Sequence, residues 1–201
     1  MLKRSVLFSL AILIVLSTNA NAAAYKVDPN HSTVGFKIRH LFSNVTGRFD
    51  KFEGTIDYEP GKPETWKSSG TIEAASINTG VAARDEHLRS ADFFDAAQFP
   101  QITFKTTKVL ESTATTAKLE GLFTMHGVEK PMVLDVDILG EGPDPAGNVH
   151  AGFTVKTRLN RKDFGLAWNK ALESGQLMVG EEVDITLEIE AILEKTKPAA
   201  A

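Results

Sequence analysis

Apolar and polar residues alternate with a period of two along most of this chain, which is the pattern of strands that bury one face. The three clearest stretches lie at residues 132–138, 151–159 and 183–191. The same alternation appears in five more, at 34–40, 52–58, 70–74, 102–106 and 119–123. Gly47 and Phe49 have the opposite parity to Phe52, so we expect a bulge near Asp50 and Lys51. The pattern predicts about eight one-sided strands.

Two long segments interrupt the alternation, Arg84 to Phe104 and Asn160 to Gly180. The first has the composition of a short helical break, with charged residues followed by several phenylalanines. About eight one-sided strands with few helices are typical of a closed barrel, and a sandwich has a similar strand count. We favour the barrel because no strand carries inward charges of the kind that protect a sheet edge. The predicted fold is all-β, an eight-stranded antiparallel β-barrel with short helices between strands 3 and 4 and between strands 7 and 8.

The N-terminus has the features of an export signal. Lys3 and Arg4 precede an apolar run of about 11 residues, and Ala20-Asn21-Ala22 matches a signal-peptidase site. The run is shorter than the roughly 20 residues that cross a bilayer as a helix. We therefore expect cleavage after Ala22 and no stable membrane insertion afterwards. The predicted organisation is a signal peptide at 1–22, a barrel domain at 23–194 and a flexible tail at 195–201.

Composition narrows the classes of partner. Removing residues 1–22 from the 201-residue chain leaves 179 residues; without Lys3 and Arg4 the 22 basic side chains become 20, against 26 acidic ones, a net charge of −6. That balance argues against nucleic acid and anionic membrane surfaces, which bind clustered positive charge. The chain has no cysteine, which excludes disulfides, cysteine nucleophiles and thiolate metal sites.

A metal site is weakly indicated. The five histidines are not spaced four residues apart, and no H-E-x-x-H sequence is present. His87 lies close in sequence to Asp85 and Asp92, but acids beside a histidine more often cap and pair locally than bind metal. We predict no metal and no cofactor other than a bound lipid.

Catalytic arrangements are also weakly indicated. His31 and Ser32 are adjacent, and neighbours on a strand point to opposite faces, so they form a poor base and nucleophile pair. Asp92 and Asp95 stand three residues apart, and we expect Asp92 to cap the turn that follows it. We predict no catalytic residue.

Large apolar side chains at inward positions fill either a packed core or a ligand cavity. A packed core is the default for a small barrel. A cavity is favoured by glycines at the inward positions Gly54, Gly70 and Gly121. It is also favoured by aromatic residues in the two long interruptions, namely Phe93, Phe94, Phe99, Phe164 and Trp168. Pattern and composition leave these two alternatives nearly balanced.

Four ordered blocks between about Tyr25 and Leu193 resemble the YceI-like proteins, a polyisoprenoid-binding, lipocalin-like family. The blocks are Asp28-x-x-His31-Ser32-x-Val34-x-Phe36-x-Ile38-x-His40; Arg84-Asp85-x-His87-Leu88-Arg89-Ser90-x-Asp92-Phe93-Phe94-Asp95, followed by Phe99-Pro100-x-Ile102-x-Phe104; Gly121-x-Phe123-Thr124-x-His126-Gly127-Val128-x-Lys130-Pro131; and Arg161-x-Asp163-Phe164-Gly165-Leu166-x-Trp168-Asn169 with Leu172-Glu173 and Val179-Gly180-x-Glu182-Val183.

The resemblance implies an extended lipocalin-like barrel whose apolar channel holds a polyprenyl chain, a quinone tail or a fatty-acid-like amphiphile. It also implies a periplasmic carrier without catalysis, and homodimers are an expectation for the family. The channel residues expected are Phe36, Ile38, Phe49, Phe93, Phe94, Phe104, Phe123, Phe153, Leu166 and Trp168. A head group at the channel mouth is expected to meet His87, Arg89, Arg161 or Asn169.

Two other functions stay open at this point. One is a stress-response scavenger that binds many hydrophobic compounds loosely. The other is an isomerase or hydrolase that acts on a lipid substrate.

Overall fold

The computed structural model describes residues 22–172, 175 and 177–195. The predicted signal peptide, apart from Ala22, and all but the first residue of the predicted tail lie outside these residues. The described chain contains one α-helix, α1 (Ala82–Arg89), and three short 3₁₀ turns, at Pro63–Thr65, Ala74–Ser76 and Arg161–Phe164. Its strands are β1 (Ala23–Val27), β2 (Thr33–His40), β3 (Ser43–Phe49), β4 (Phe52–Tyr58), β5 (Lys67–Glu73), β6 (Ile77–Asn78), β7 (Gln101–Ser112), β8 (Thr116–Met125), β9 (Val128–Pro143), β10 (Val149–Asn160) and β11 (Val179–Leu193).

Eight strands close into an antiparallel barrel. The ladder runs from β1 through β4, β5, β7, β8, β9, β10 and β11, and β11 pairs again with β1. The remaining segments extend the wall, with β2 on β11, β3 on β2 and β6 on β3. Closure leaves the ring of eight strands without an open edge. The predicted all-β fold is confirmed, with α1 and the 3₁₀ turn at Arg161–Phe164 in the two predicted helical interruptions.

The strands β1, β3 and β6 are absent from the predicted set, and of these β1 is the one that belongs to the closed ring. It has five residues, and Tyr25 and Val27 are its two buried side chains. Such a short alternation carries little signal, and here it directly follows the predicted cleavage site. Its role is clear once the barrel closes, because β1 is the strand that joins β4 to β11.

The parity change at Asp50 and Lys51 is a break between β3 and β4 instead of the predicted bulge. The backbone N–H of Asp50 donates to the carbonyl of Ser76 at 3.1 Å, and that of Glu73 donates to the carbonyl of Lys51 at 3.0 Å. The 3₁₀ turn at Ala74–Ser76 and the residue before it therefore supply partners for the backbone groups that the strand ladder leaves unpaired at this break.

Buried side chains form two clusters at opposite ends of the same strands. On β10, for example, Phe153 belongs to one cluster and Leu159 to the other. In the cluster around Phe153, the ring of Tyr58 lies 5.3 Å from that of Phe153 and 5.0 Å from that of Trp66. The Trp66 indole N–H donates to the carbonyl of Glu59 at 2.7 Å. We call this end the filled half, and the end around Leu159 the cavity half.

No helix in the described ranges is long and apolar enough to cross a membrane.

Candidate ligand-binding cavity

A cavity of about 430 Å³ lies in the cavity half of the barrel. Inward side chains from nearly every strand form its wall, which is almost entirely apolar. Its size falls within the range of about 300–1,000 Å³ that is usual for small-molecule sites. The alternative of a fully packed interior is therefore wrong for the cavity half.

One of the inward glycines, Gly70, opens the wall of this cavity. Gly54 and Gly70 lie directly opposite each other on β4 and β5, and Gly70 lies opposite Phe104 on β7. Opposite residues in an antiparallel pair share a face, so both glycines face inward with Phe104. A Cβ atom on Gly70 would meet a single neighbour, the carbonyl of Glu53 at 3.5 Å. Gly70 thus leaves space available to a ligand, whereas a Cβ atom on Gly54 would meet the carbonyl of Ser69 at 3.0 Å and a methyl group of Val27 at 3.1 Å.

Gly121 has a different role from the one expected. A Cβ atom at this position would collide with the ring of Phe104, which lies directly over the glycine. Gly121 therefore makes room for a phenylalanine and does not open the cavity.

Three rings from the two long interruptions meet over the cavity. His87 lies on α1, Phe93 in the turns after it, and Trp168 after the last 3₁₀ turn, with ring centroids 5.0–5.1 Å apart. All three line the cavity. His87 Nε2 lies 2.8 Å from a carboxylate oxygen of Asp92, so this acid pairs with the histidine instead of capping the following turn. We call residues 79–99 and 161–172 the cover.

A buried carboxylate fixes the start of α1. Asp85 is buried and accepts hydrogen bonds from the backbone N–H and the hydroxyl of Thr79. Arg84 Nε donates to the Thr79 hydroxyl at 2.7 Å. No side chain caps the first helical turn, so this cluster ties α1 to the end of β6.

Two residues predicted to meet a head group instead hold the backbone. Arg89 donates to the carbonyls of Ala75 and Ile77, at 2.7 and 3.0 Å. Asn169 donates to the carbonyl of Val179 at 2.7 Å and accepts from its N–H at 3.1 Å. Neither side chain lines the cavity. The structure gives both a positioning role in the cover.

Arg161 is buried and also lines the cavity. Its Nε donates to the carbonyl of Gly180 at 2.8 Å, and its Nη1 donates to the carbonyls of Leu166 and Trp168, at 2.5 and 2.9 Å. Burial lowers the pKa of Arg161 from its ordinary value, and the nearby Glu181 charge opposes that shift. The guanidinium of Arg161 thus holds residues 161–172 of the cover against β11.

The predicted channel residues fall in both halves of the barrel. Those that line the cavity are Phe36, Ile38, Phe49, Phe93, Phe94, Phe104, Phe123, Leu166 and Trp168. Phe153 packs in the filled half, and inward parity alone does not separate it from the others. Met178 and Val179 also line the cavity and belong to an interruption whose geometry the alternation does not predict. Of the four predicted head-group residues, the structure brings His87 and Arg161 to the cavity wall.

Outside the cavity, Asp28, His31 and Glu190 lie close together, with potential ligand atoms within 4.8 Å of one another. His31 Nδ1 lies 2.7 Å from a carboxylate oxygen of Asp28. This hydrogen bond raises the pKa of His31 and lowers that of Asp28. Sequence spacing does not reveal the group, because Glu190 comes from the last strand. Local hydrogen bonding accounts for the close approach.

Comparison with known proteins gives a consistent assignment. The YceI-like domain family matches residues 25–191. Protein YceI of Salmonella arizonae is 36% identical over 191 residues, 94% of this chain and 96% of that protein. The crystal structure of the Campylobacter jejuni YCEI protein has a TM-score of 0.67 at 29% identity, over 94% of this chain and 100% of that one. A polyisoprenoid binding domain from Saccharophagus degradans shares the fold, with a TM-score of 0.59 at 18% identity, over 86% of this chain and 99% of that one. As the four sequence blocks predict, the chain belongs to the YceI-like family.

Proposed function

We propose that this protein binds a long apolar amphiphile in the cavity half and carries it through the periplasm. The observation that carries the proposal is the apolar cavity of about 430 Å³ beneath the aromatic cover. The ligand class comprises polyisoprenoids, quinones and fatty-acid-like lipids. The shared fold of a polyisoprenoid binding domain supports this class, and the predicted signal peptide supports the location.

Affinity in such a cavity grows with chain length. Each methylene transferred from water to an apolar wall contributes about 0.8 kcal/mol. A wall of aliphatic and phenyl groups does not distinguish an isoprenoid from an acyl chain of similar width. The hydrocarbon part therefore supplies most of the binding free energy, and discrimination depends on the few polar groups at the cavity wall.

The cover is the proposed route of entry. It is built from one short helix, turns and side-chain hydrogen bonds, whereas the rest of the wall is a continuous strand ladder. Segments with few ladder hydrogen bonds open at lower free energy than the sheet they rest on. We expect the ligand to enter when the rings of His87, Phe93 and Trp168 separate.

The arrangement of hydroxyl groups supports a carrier rather than an enzyme. Ser90 donates its hydroxyl to the backbone carbonyl of His87, and Ser32 donates to the carbonyl of Glu190. Neither serine is positioned as a nucleophile whose proton a histidine ring accepts. A lipid-modifying enzyme would be indicated by turnover that His87→Ala abolishes while ligand binding persists.

Native mass spectrometry of protein purified from the periplasm tests the proposal. We expect a bound lipid mass, and the same spectrum reports whether the protein is a homodimer. One dominant mass supports a dedicated carrier, and a broad mixture supports the scavenger. Delipidated protein should then take up a polyprenol, a quinone or a fatty acid. Failure to take up all three would overturn the proposal.

A further inference from the structure

Arg161 has an incompletely paired guanidinium in an otherwise apolar wall. Its Nε and Nη1 groups donate to three backbone carbonyls, but its Nη2 group has no hydrogen-bond partner. Among the described residues, this is the sole buried side-chain nitrogen or oxygen without a partner. Buried polar groups are almost always paired, so an orphan of this kind calls for a physical explanation.

The charge of Arg161 also lacks a counter-ion. No described carboxylate lies within 4.0 Å of its nitrogen atoms, and the nearby Glu181 accepts a hydrogen bond from Lys162 at 2.5 Å. A buried cation without a paired anion is strongly disfavoured in a low-dielectric interior. Asp85 shows the contrast within the same cover, because Thr79 satisfies its buried carboxylate. An acidic partner at Arg161 would therefore stabilise the fold.

The position of Arg161 fits a ligand better than a structural partner. The side chain lines the cavity, and its Nη1 group holds the carbonyl of Trp168, whose ring contacts those of His87 and Phe93. The guanidinium thus reaches both the apolar space and the cover. Nη2 is itself enclosed, so a head group reaches it when side chains of the cover move, a kind of rearrangement that is common on binding.

We infer that Arg161 is a head-group site and that it selects amphiphiles with an anionic oxygen, in particular a carboxylate. This inference rests on the proposed function and narrows its ligand class. Nη2 presents N–H donors, and a carboxylate accepts hydrogen bonds without needing a donor in return. A hydroxyl or a quinone carbonyl also accepts a hydrogen bond, but it leaves the buried positive charge uncompensated. Long-chain acids should therefore bind more tightly than neutral lipids of equal length.

Two probes of equal chain length test the selectivity directly. Tetradecanoic acid and tetradecan-1-ol are titrated into delipidated protein at neutral pH, and their Kd values are measured by calorimetry. We expect the acid to bind about 10- to 100-fold more tightly, the range of a charge-assisted hydrogen bond. Equal or tighter binding of the alcohol would overturn the inference and leave the proposed function intact. If neither probe binds, the inference fails, and the proposed function then depends on the uptake of the polyprenol and the quinone.

Variants then assign the preference to the residue. Arg161→Met should remove the preference for the acid, so that the ratio of the two Kd values falls to about one, whatever the loss of its three backbone hydrogen bonds does to the affinity for both probes. Arg89→Lys is the matched control, because Arg89 also binds two backbone carbonyls but does not line the cavity; it should keep the preference. A folded Arg161→Met protein that still prefers the acid would contradict the assignment. If Arg161→Met does not fold, the comparison of acid with alcohol in the native protein still tests the inference, because equal binding of the two would overturn it.

Discussion

The two halves of the barrel share their strands and their inward alternation, yet aromatic rings pack together in one and the other holds a cavity. In the filled half, Tyr58, Trp66 and Phe153 pack their rings together. In the cavity half, the facing positions on β4 and β5 are Gly54 and Gly70. Alternation therefore determines the wall of such a barrel. The sizes of a few inward side chains determine whether it is filled.

The halves also differ in what closes them. Aromatic packing closes the filled half, with the Trp66 indole N–H paired to a backbone carbonyl. Polar anchors hold the cover of the cavity half, through Asp85, Arg89, Arg161 and Asn169. Aromatic packing contributes to the stability of the whole domain, whereas local polar bonds permit the cover to open by itself. We therefore expect mutations in the filled half to affect stability and mutations in the cavity half to affect binding.

The largest expected effect is on stability, from Phe153→Ala in the filled half. Phe153 is 6% exposed and packs against Tyr58, so its truncation leaves a new void. We expect the free energy of unfolding to fall by about 3–5 kcal/mol. Phe36→Ala in the cavity wall is the comparison, with roughly half that loss, because Phe36 already borders open space. Urea unfolding of the delipidated variants measures both.

Equal losses for the two variants would contradict this division of the barrel. So would a Phe153→Ala protein that stays folded but loses ligand uptake, because Phe153 does not line the cavity.

The difference between the halves explains what could be predicted from the sequence. Alternation is a property of each strand, and it predicts the barrel correctly. It cannot separate Phe153 from Phe104, because both are inward phenylalanines, and only their positions along the barrel differ. Gly121 looks like Gly70 in the sequence, but the ring of Phe104 covers it. Packing between strands distant in sequence decides each case.

The polar residues of the site were harder to assign for a related reason. Arg89, Arg161 and Asn169 are all cationic or amide side chains in the two long interruptions. Their partners are backbone carbonyls, which every residue possesses, so the sequence does not indicate which carbonyl each side chain binds. Burial and one unpaired nitrogen distinguish Arg161 from the other two, and both are properties of the fold.

The next largest effect is on binding, from filling the cavity at Gly70. The backbone of Gly70 suits any residue, and its Cβ position is in ordinary contact with a single carbonyl. Gly70→Leu should displace about three methylene groups of ligand, which costs about 2–3 kcal/mol, or a roughly 30- to 150-fold higher Kd. Unfolding free energy should stay close to that of the native protein. Titration with tetradecanoic acid measures the change in Kd.

Gly142→Leu is the matched control for this change. Gly142 lies near the end of β9, a Cβ atom there would meet nothing within 4 Å, and the residue does not line the cavity. It should leave Kd unchanged. If Gly70→Leu binds the acid as tightly as this control does, the cavity beside Gly54 and Gly70 is not where the chain lies.

The smallest expected effect is a pH dependence of stability that arises at the filled half. His150 Nδ1 lies 2.7 Å from Glu190, and its Nε2 lies 3.3 Å from Asp144. Partial burial would lower the pKa of His150, but these two hydrogen bonds raise it above its ordinary value of 6.5. Asp144 accepts from the side chain and the backbone of Asn148, and its pKa is lowered from 3.8 to about 2.

These shifts have opposite consequences as the pH changes. The contribution of His150 is fully present below pH 6.5 and is lost as the pH rises through the raised pKa, because the native state binds the proton more tightly. The contribution of Asp144 is present above pH 3.8 and is lost as the pH falls towards 2. Stability should therefore be highest between these limits. His150→Gln should flatten the alkaline side without removing the slope that His31 contributes, because the pKa of His31 is also raised. Urea unfolding between pH 3 and 9 measures this profile. If His150→Gln leaves the alkaline slope unchanged, other groups cause that slope.

The Kd of tetradecan-1-ol, which does not ionise, should stay the same in this variant, because the titrating cluster lies away from the cavity wall.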